Sequence, residues 1–140
     1  MDSGSHITAE VHKCYWQQDI NCARTMLTIL GGLGGLAIHP QVFAAAVGMH
    51  GAGGYRAQCG LVEGGLMYIG IAGDVCGLAE EQTVSLCREY AERFAAAFGS
   101  LLCRDLRPAG FSADNPPHLC EKLTVEAVVF AAGFMQEKGL

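Results

Sequence analysis

The sequence predicts an all-α fold, a compact bundle of about five to six helices around a central glycine-rich helix. Three observations predict it. Long apolar-periodic segments recur, separated by Gly and Pro. Alternating period-two runs rich in Val, Ile and Thr are missing. At 140 residues and 51% hydrophobic content the chain fits one domain, residues 1–140, with enough apolar material for a core. Residues 1–6, with Gly4-Ser5-His6, have the look of a tag remnant or a disordered leader and carry no argument.

The elements follow in order. A first helical stretch begins near Thr8. The second is clearer: Asp19 is a candidate N-cap, Ala23, Met26, Leu27 and Leu30 form an apolar face, and Gly31-Gly32 predict its stop. Gly32, Gly34 and Ala37 match a loose dinucleotide fingerprint, but they follow a helix where that fingerprint needs a strand. Pro40 suits the first turn of a short helix over 41–47. A loop with four glycines follows, from Gly48 to Gly54. The next helix, about 56–72, carries Gly60, Gly64, Gly65 and Gly70 and is apolar on nearly every side. Each glycine costs about 1 kcal/mol there relative to Ala, so close neighbours are expected on several faces. Over 80–98, Leu86, Tyr90, Phe94 and Phe98 step by four along one face, and Gly99 ends the helix. A turn holds Cys103. Asn115-Pro116-Pro117 signals the last helix, with Leu119, Leu123, Ala127, Phe130 and Phe134 as its stripe and Gly139 as its stop.

Charge excludes some function classes. The net charge is -5, and no Lys/Arg cluster exists to track a phosphate backbone, so nucleic acid is not an expected partner. The longest apolar stretches, 26–38 and 64–73, fall short of the roughly 20 residues that span a bilayer. No secretory signal is visible, and the expected location is the cytoplasm. High apolar content with only 16% charged residues leaves surface for a partner chain, and a homodimer is expected.

The seven cysteines carry the chemistry. An odd count does not suit a plain disulfide framework. Helix N-termini present free N–H groups and partial positive charge, which favour a thiolate. That rule selects Cys22, Cys59, Cys120 and, near Arg104 and Arg107, Cys103. Cys87 is mid-helix, Cys76 lies past a helix C-terminus and Cys14 sits in a poorly defined segment; these three read as structural or incidental. No C-x-x-C pair exists, so zinc-knuckle and ferredoxin spacings are absent, and any site must be assembled by tertiary packing.

Cys59-Gly60-Leu61-Val62-Glu63-Gly64, with Asn21-Cys22-Ala23, Gly51–Gly54, the segment 98–104 around Cys103, and Cys120, resembles the redox-active family named for its motif, C_GCAxxG_C_C. The one departure is Leu61, where the family usually has Ala. A similar domain occurs in split-Soret cytochromes, where it is associated with an iron–sulfur cluster. The resemblance therefore implies a [2Fe–2S] or [4Fe–4S] cluster, or another metal, on Cys22, Cys59, Cys103 and Cys120, and a partner protein for electron transfer or sensing. With C-x-x-C-H absent, covalent haem is not implied. Gly60 and Gly64 would let backbone approach the sulfurs, and the amides of Gly51 to Gly54 could donate to them.

Three alternatives stay open. One is a thiol–disulfide redox protein using a pair such as Cys59 and Cys103. Another is a structural four-thiolate zinc site. The third is a helical interaction module with no site. His50, before Cys59, reads as a loop residue or a ligand, and His118 likewise beside Cys120. His39 reads as a cap. Glu63 is either a partnered carboxylate at the site or a residue facing water. Hydrolase patterns are absent.

Overall fold

The computed structural model describes residues 3–108, 110–115 and 117–140. Among these the chain is all-helical, with eight helices and one isolated β-bridge. Five are long: α1 (Ser3–Trp16), α2 (Cys22–Gly34), α5 (Gly60–Val75), α6 (Glu80–Phe98) and α8 (Glu121–Lys138). Three are short: α3 (Pro40–Ala45), α4 (Gly51–Gly54) and α7 (Cys103–Leu106). The count exceeds five to six because the glycine loop and the Cys103 turn each close one helical turn.

Several boundaries differ from the sequence expectation. α1 starts at Ser3 and so includes Gly4-Ser5-His6; Ile7, Val11, Cys14 and Tyr15 bury its inner face. Asp19 is not the cap of α2. It has a left-handed φ of 49°, and Asn21 takes the position, its Oδ1 accepting from the Arg24 amide at 2.9 Å. The reason is chemical: the Asn21 amide also donates, to the Ala46 and Val47 carbonyls at 3.0 and 2.9 Å, which a carboxylate cannot do. α2 runs through Gly31-Gly32 to Gly34, because Gly35 supplies the left-handed cap at φ 68°. α5 begins at Gly60, later than expected, since residues 56–59 are held in an extended clasp described below. α8 begins at Glu121; part of its expected start, Pro116, lies outside the described residues.

α5 packs on α2, α6 and α8, and α2 packs also on α1 and α8. Small residues set these distances. A Cβ on Gly64 would meet the Ala23 carbonyl at 2.6 Å and Met26 Cβ at 2.9 Å, so only glycine lets α5 lie this close to α2. Tyr90 and Phe94 of α6 are fully buried, and Phe130 and Phe134 of α8 pack around them with ring centroids 5.4 to 5.8 Å apart. The buried face of α8 is Thr124, Ala127, Val128, Ala131, Phe134 and Met135, rotated from the expected stripe, so that Leu123 and Phe130 are only partly covered. No helix is long and apolar enough to cross a membrane among the described residues.

Candidate functional site

The four motif cysteines all lie at helix starts. Cys22 is the first residue of α2, Cys103 the first of α7, and Cys59 and Cys120 are the N-cap residues of α5 and α8. Specific contacts draw three of these starts together, those of Cys22, Cys59 and Cys103. Residues 56–59 and 101–104 form a short antiparallel clasp centred on a Gln58–Leu102 bridge. The Cys59 amide donates to the Leu101 carbonyl at 2.8 Å, and the Cys103 amide to the Ala57 carbonyl at 2.7 Å. This ties the second and third cysteines together. Gly60 brings in the first: a Cβ there would collide with Cys22 Sγ and lie 2.6 Å from the Met49 carbonyl. Gly51 does the same for the clasp, its Cβ position lying 3.2 Å from Cys103 Cβ.

The thiols act on one another electrically. Cys22 is pushed up to about 12 by burial, then by the charges of Cys59 and Cys120, with Cys103 adding to them; only the Ala23 amide opposes this. Cys59 is pushed up to about 11 by burial and by Cys103 and Cys120, against the amides of Leu61 and Val62. Those amides face its sulfur without forming a full capping bond. Burial also raises Cys103, which Arg107 and Arg56 partly offset, and Cys120, which Arg107 partly offsets and Cys103 raises further. Cys14, Cys76 and Cys87 take no part in this set. Cys14 is buried in α1, Cys76 is an exposed cap of α5 and Cys87 rests against the Leu66 carbonyl at 4.0 Å. All seven cysteines are free.

Two expectations need correction. Helix starts were expected to favour thiolates, yet all four thiols are shifted toward the neutral form. Desolvation is the largest cause at each, and the one amide at Cys22, the two at Cys59 and the arginines near Cys103 and Cys120 do not outweigh it. The glycine-loop amides were expected to serve the sulfurs. Those of Gly53 and Gly54 instead donate to the Gly48 and His50 carbonyls, at 2.9 and 3.1 Å. Gly64 likewise spaces α5 from the α2 backbone and does not touch a sulfur.

The remaining candidates have clear surroundings. Glu63 accepts from the Gln58 side-chain amide, so it is a partnered carboxylate. His50 lies 3.3 Å from Asn21 Nδ2 at the start of α4, and His39 occupies the N-cap position of α3. Leu61 is 1% exposed and sits in the hydrophobic core.

Sequence reasoning placed Arg107 near Cys103 but missed Arg56, Tyr15 and Trp16. Arg56 and Arg107 place their guanidiniums 4.1 and 4.8 Å from the Phe111 ring, beside Cys103. Tyr15, from α1, lies within electrostatic reach of Cys22, Cys120 and Cys59, which together with burial raise its hydroxyl. Trp16 follows it. Nothing in the spacing of Tyr15 or Arg56 marks them, because both arrive by tertiary packing.

Thiols are the donor type that soft metals take, and here four come from four chain stretches, Cys59 buried and the others half-buried, with Arg56 and Arg107 near Cys103. Among the described residues no three His, Cys, Asp or Glu side chains close on a single ion.

The structure is an all-helical protein with four of its cysteines at helix starts. A family model described as "Putative redox-active protein (C_GCAxxG_C_C)" matches residues 20–134, and the chain belongs to this family. Comparison with curated proteins and with solved structures finds no match.

The raised thiols contribute to the alkaline pH response of the metal-free chain, alongside the Tyr15 and Tyr90 hydroxyls, which burial also raises. An unfolded cysteine loses its proton near 9.0, whereas folded Cys59 and Cys22 hold theirs to about 11 and about 12. Between these limits the folded state binds more protons than the unfolded state, so stability falls as pH rises. The urea midpoint should drop between about pH 8 and about pH 11, and less steeply in a Cys22→Ser/Cys59→Ser double variant. Equal slopes in the two proteins would contradict the buried-thiol account.

Proposed function

We propose that this chain is a redox protein that holds an iron–sulfur cluster on Cys22, Cys59, Cys103 and Cys120, for electron transfer or redox sensing. The observation that carries this reading is geometric: the four motif cysteines stand at four helix starts, with Cys59 and Cys103 on the paired clasp and Cys22 against Gly60. Thiols held toward the neutral form, Cys59 buried and the other three half-buried, are poor free nucleophiles but can shed their protons to a metal. A single zinc ion needs sulfurs about 3.8 Å apart, given Zn–S distances of about 2.3 Å. A cluster spreads its four sulfurs more widely. When bound, the cluster would supply reversible one-electron chemistry.

The chain's own groups have defined tasks in this reading. The Leu61, Val62 and Ala23 amides face sulfurs, Arg56 and Arg107 offset negative charge at Cys103 and Cys120, and Gly60 gives Cys22 its space. We place the protein in the cytoplasm, where such thiols stay reduced. A second copy of the chain is the proposed cover for exposed apolar residues such as Val47 and Tyr55.

One observation favours a second reading. The clasp holds Cys59 and Cys103 on paired segments, as a reversible disulfide would need. Their raised pKa values argue against fast exchange at neutral pH.

Anaerobic reconstitution with iron and sulfide decides between them. The expected product is brown and retains both elements after desalting. A colourless, iron-free chain that instead forms one Cys59–Cys103 disulfide on oxidation would replace the first reading with the second. Tight stoichiometric zinc with no iron uptake would replace it with the structural-zinc alternative.

A further inference from the structure

We propose that the cavity at the C-terminal end of α2 binds a small neutral molecule, largely apolar, that carries one hydrogen-bond-accepting oxygen. The cavity has a volume of about 490 Å³. Its walls come from α1, α2, α5 and α8, and the space between bundled helices is a usual place for a small-molecule site. Gly34, in its wall, is the last residue of α2, whereas Cys22 is the first. The length of helix between them is roughly 18 Å. The cavity is thus separate from Cys22, and the proposal does not depend on whether the motif cysteines hold metal.

Its interior is built for contact with carbon. Ile7, Leu30 and Met135 line it and are buried. Leu33 and Val129 form its rim, each 46% exposed. None of the described residues lining the cavity carries a charged side chain. An ionised ligand would lose its hydration there with no side-chain counter-charge in return, so the ligand is neutral. The volume lies within the roughly 300–1,000 Å³ of small-molecule pockets and is about three times that of a cavity that admits benzene. There is room for a ring system or a medium-length alkyl chain.

Tyr68 supplies the polar anchor. Three tyrosines are buried: Tyr15, Tyr68 and Tyr90. Two of their hydroxyls are hydrogen-bonded within the protein, Tyr15 with Thr124 at 2.6 Å and Tyr90 donating to the Leu61 carbonyl at 3.2 Å. Tyr68 is only 1% exposed, yet its hydroxyl bonds to no described residue. A hydroxyl so placed takes its partner from outside the chain. Tyr68 lines the cavity beside Gly34, where a Cβ would collide with the hydroxyl. Glycine at that position therefore keeps the space around the hydroxyl clear. A phenolic O–H donates, so the matching ligand group is an acceptor such as a ketone or ester oxygen.

The test uses the full chain with its thiols reduced and a metal chelator present. The probe is 2-octanone, which is neutral, apolar and carries one acceptor oxygen. Its titration is followed by two-dimensional amide NMR. Saturable one-to-one shifts at Leu33, Tyr68 and Val129 are expected, with octanoate bound at least about tenfold more weakly. Tyr68→Phe removes the donor and keeps the ring, and should weaken binding about fivefold, the size of one hydrogen bond. Gly133→Leu fills the cavity from α8. Gly133 lines the cavity and has no heavy atom within 4 Å of its Cβ position, so the added side chain meets no clash in the fold. This variant should abolish binding of 2-octanone. A wild-type chain with no saturable shift overturns the proposal, the hydroxyl then bonding to water only. Binding that survives Gly133→Leu unchanged lies elsewhere on the protein and also overturns it. Equal affinity for octanoate overturns the neutral class, and unchanged affinity in Tyr68→Phe overturns the anchor. Iron uptake is read separately by reconstitution, so failure here leaves the cluster reading standing.

Discussion

Alanine at Gly60 is expected to destabilise the protein by about 1–3 kcal/mol, the usual cost of overfilling a packed site, and to prevent stable metal uptake. The added methyl would lie on Cys22 Sγ, 2.6 Å from the Met49 carbonyl and 3.0 Å from the Ala23 amide. Two of these three neighbours are backbone and cannot swing away. The sulfur is the softest of them, so relief comes by displacing Cys22 from its partners. Gly70, in the same helix, has no heavy atom within 4 Å of its Cβ position. Gly70→Ala should therefore be neutral or gain up to about 1 kcal/mol, as expected for an unhindered helix interior. Urea unfolding compares the two, and iron analysis after reconstitution reads the second effect. A Gly60→Ala protein as stable and as iron-rich as wild type would show that α5 does not press on Cys22.

Serine at any one of Cys22, Cys59, Cys103 or Cys120 is expected to weaken iron retention by more than about 100-fold, beyond the range seen for loss of a supporting residue around a metal. A hydroxyl does not ionise under these conditions and is a poor partner for a soft metal. Serine at Cys14, Cys76 or Cys87 should leave retention unchanged, since none of these thiols couples to the four. Iron and sulfide measured after desalting give the comparison directly. Equal losses at Cys76 and Cys59 would mean that the wrong four sulfurs have been chosen. The same series separates the disulfide reading, in which Cys22 and Cys120 would be dispensable while Cys59 and Cys103 would not.

The placement of the motif cysteines was legible in the chain. Cys22, Cys59, Cys103 and Cys120 were expected at or near helix starts or in a turn, and the structure places each at a helix start. Start signals are local: Asn21, the glycines before Cys59 and Gly99 before the Cys103 turn act within a few residues. The helix-start rule misjudged the consequence, because pKa depends on burial and on neighbours far away in sequence. Gly60 was rightly singled out for closeness to sulfur. Gly64 was not distinguishable from it, since both sit on one helix and only packing decides which face meets Cys22 and which meets Ala23.

The sequence by itself determined the helical class, the exact span of α6 over 80–98, and the candidacy of the four cysteines. Periodicity, capping residues and glycine stops are written locally, and helices satisfy their backbone within one segment. Tertiary structure alone decided that α1 sets Tyr15 and Trp16 against His118 and Glu121, that Arg56 and Arg107 meet across Phe111, and that the clasp pairs Cys59 with Cys103 while Gly60 meets Cys22. Those facts depend on how helices cross and how closely glycine lets them approach, and contacts between residues a hundred positions apart leave no local pattern to read.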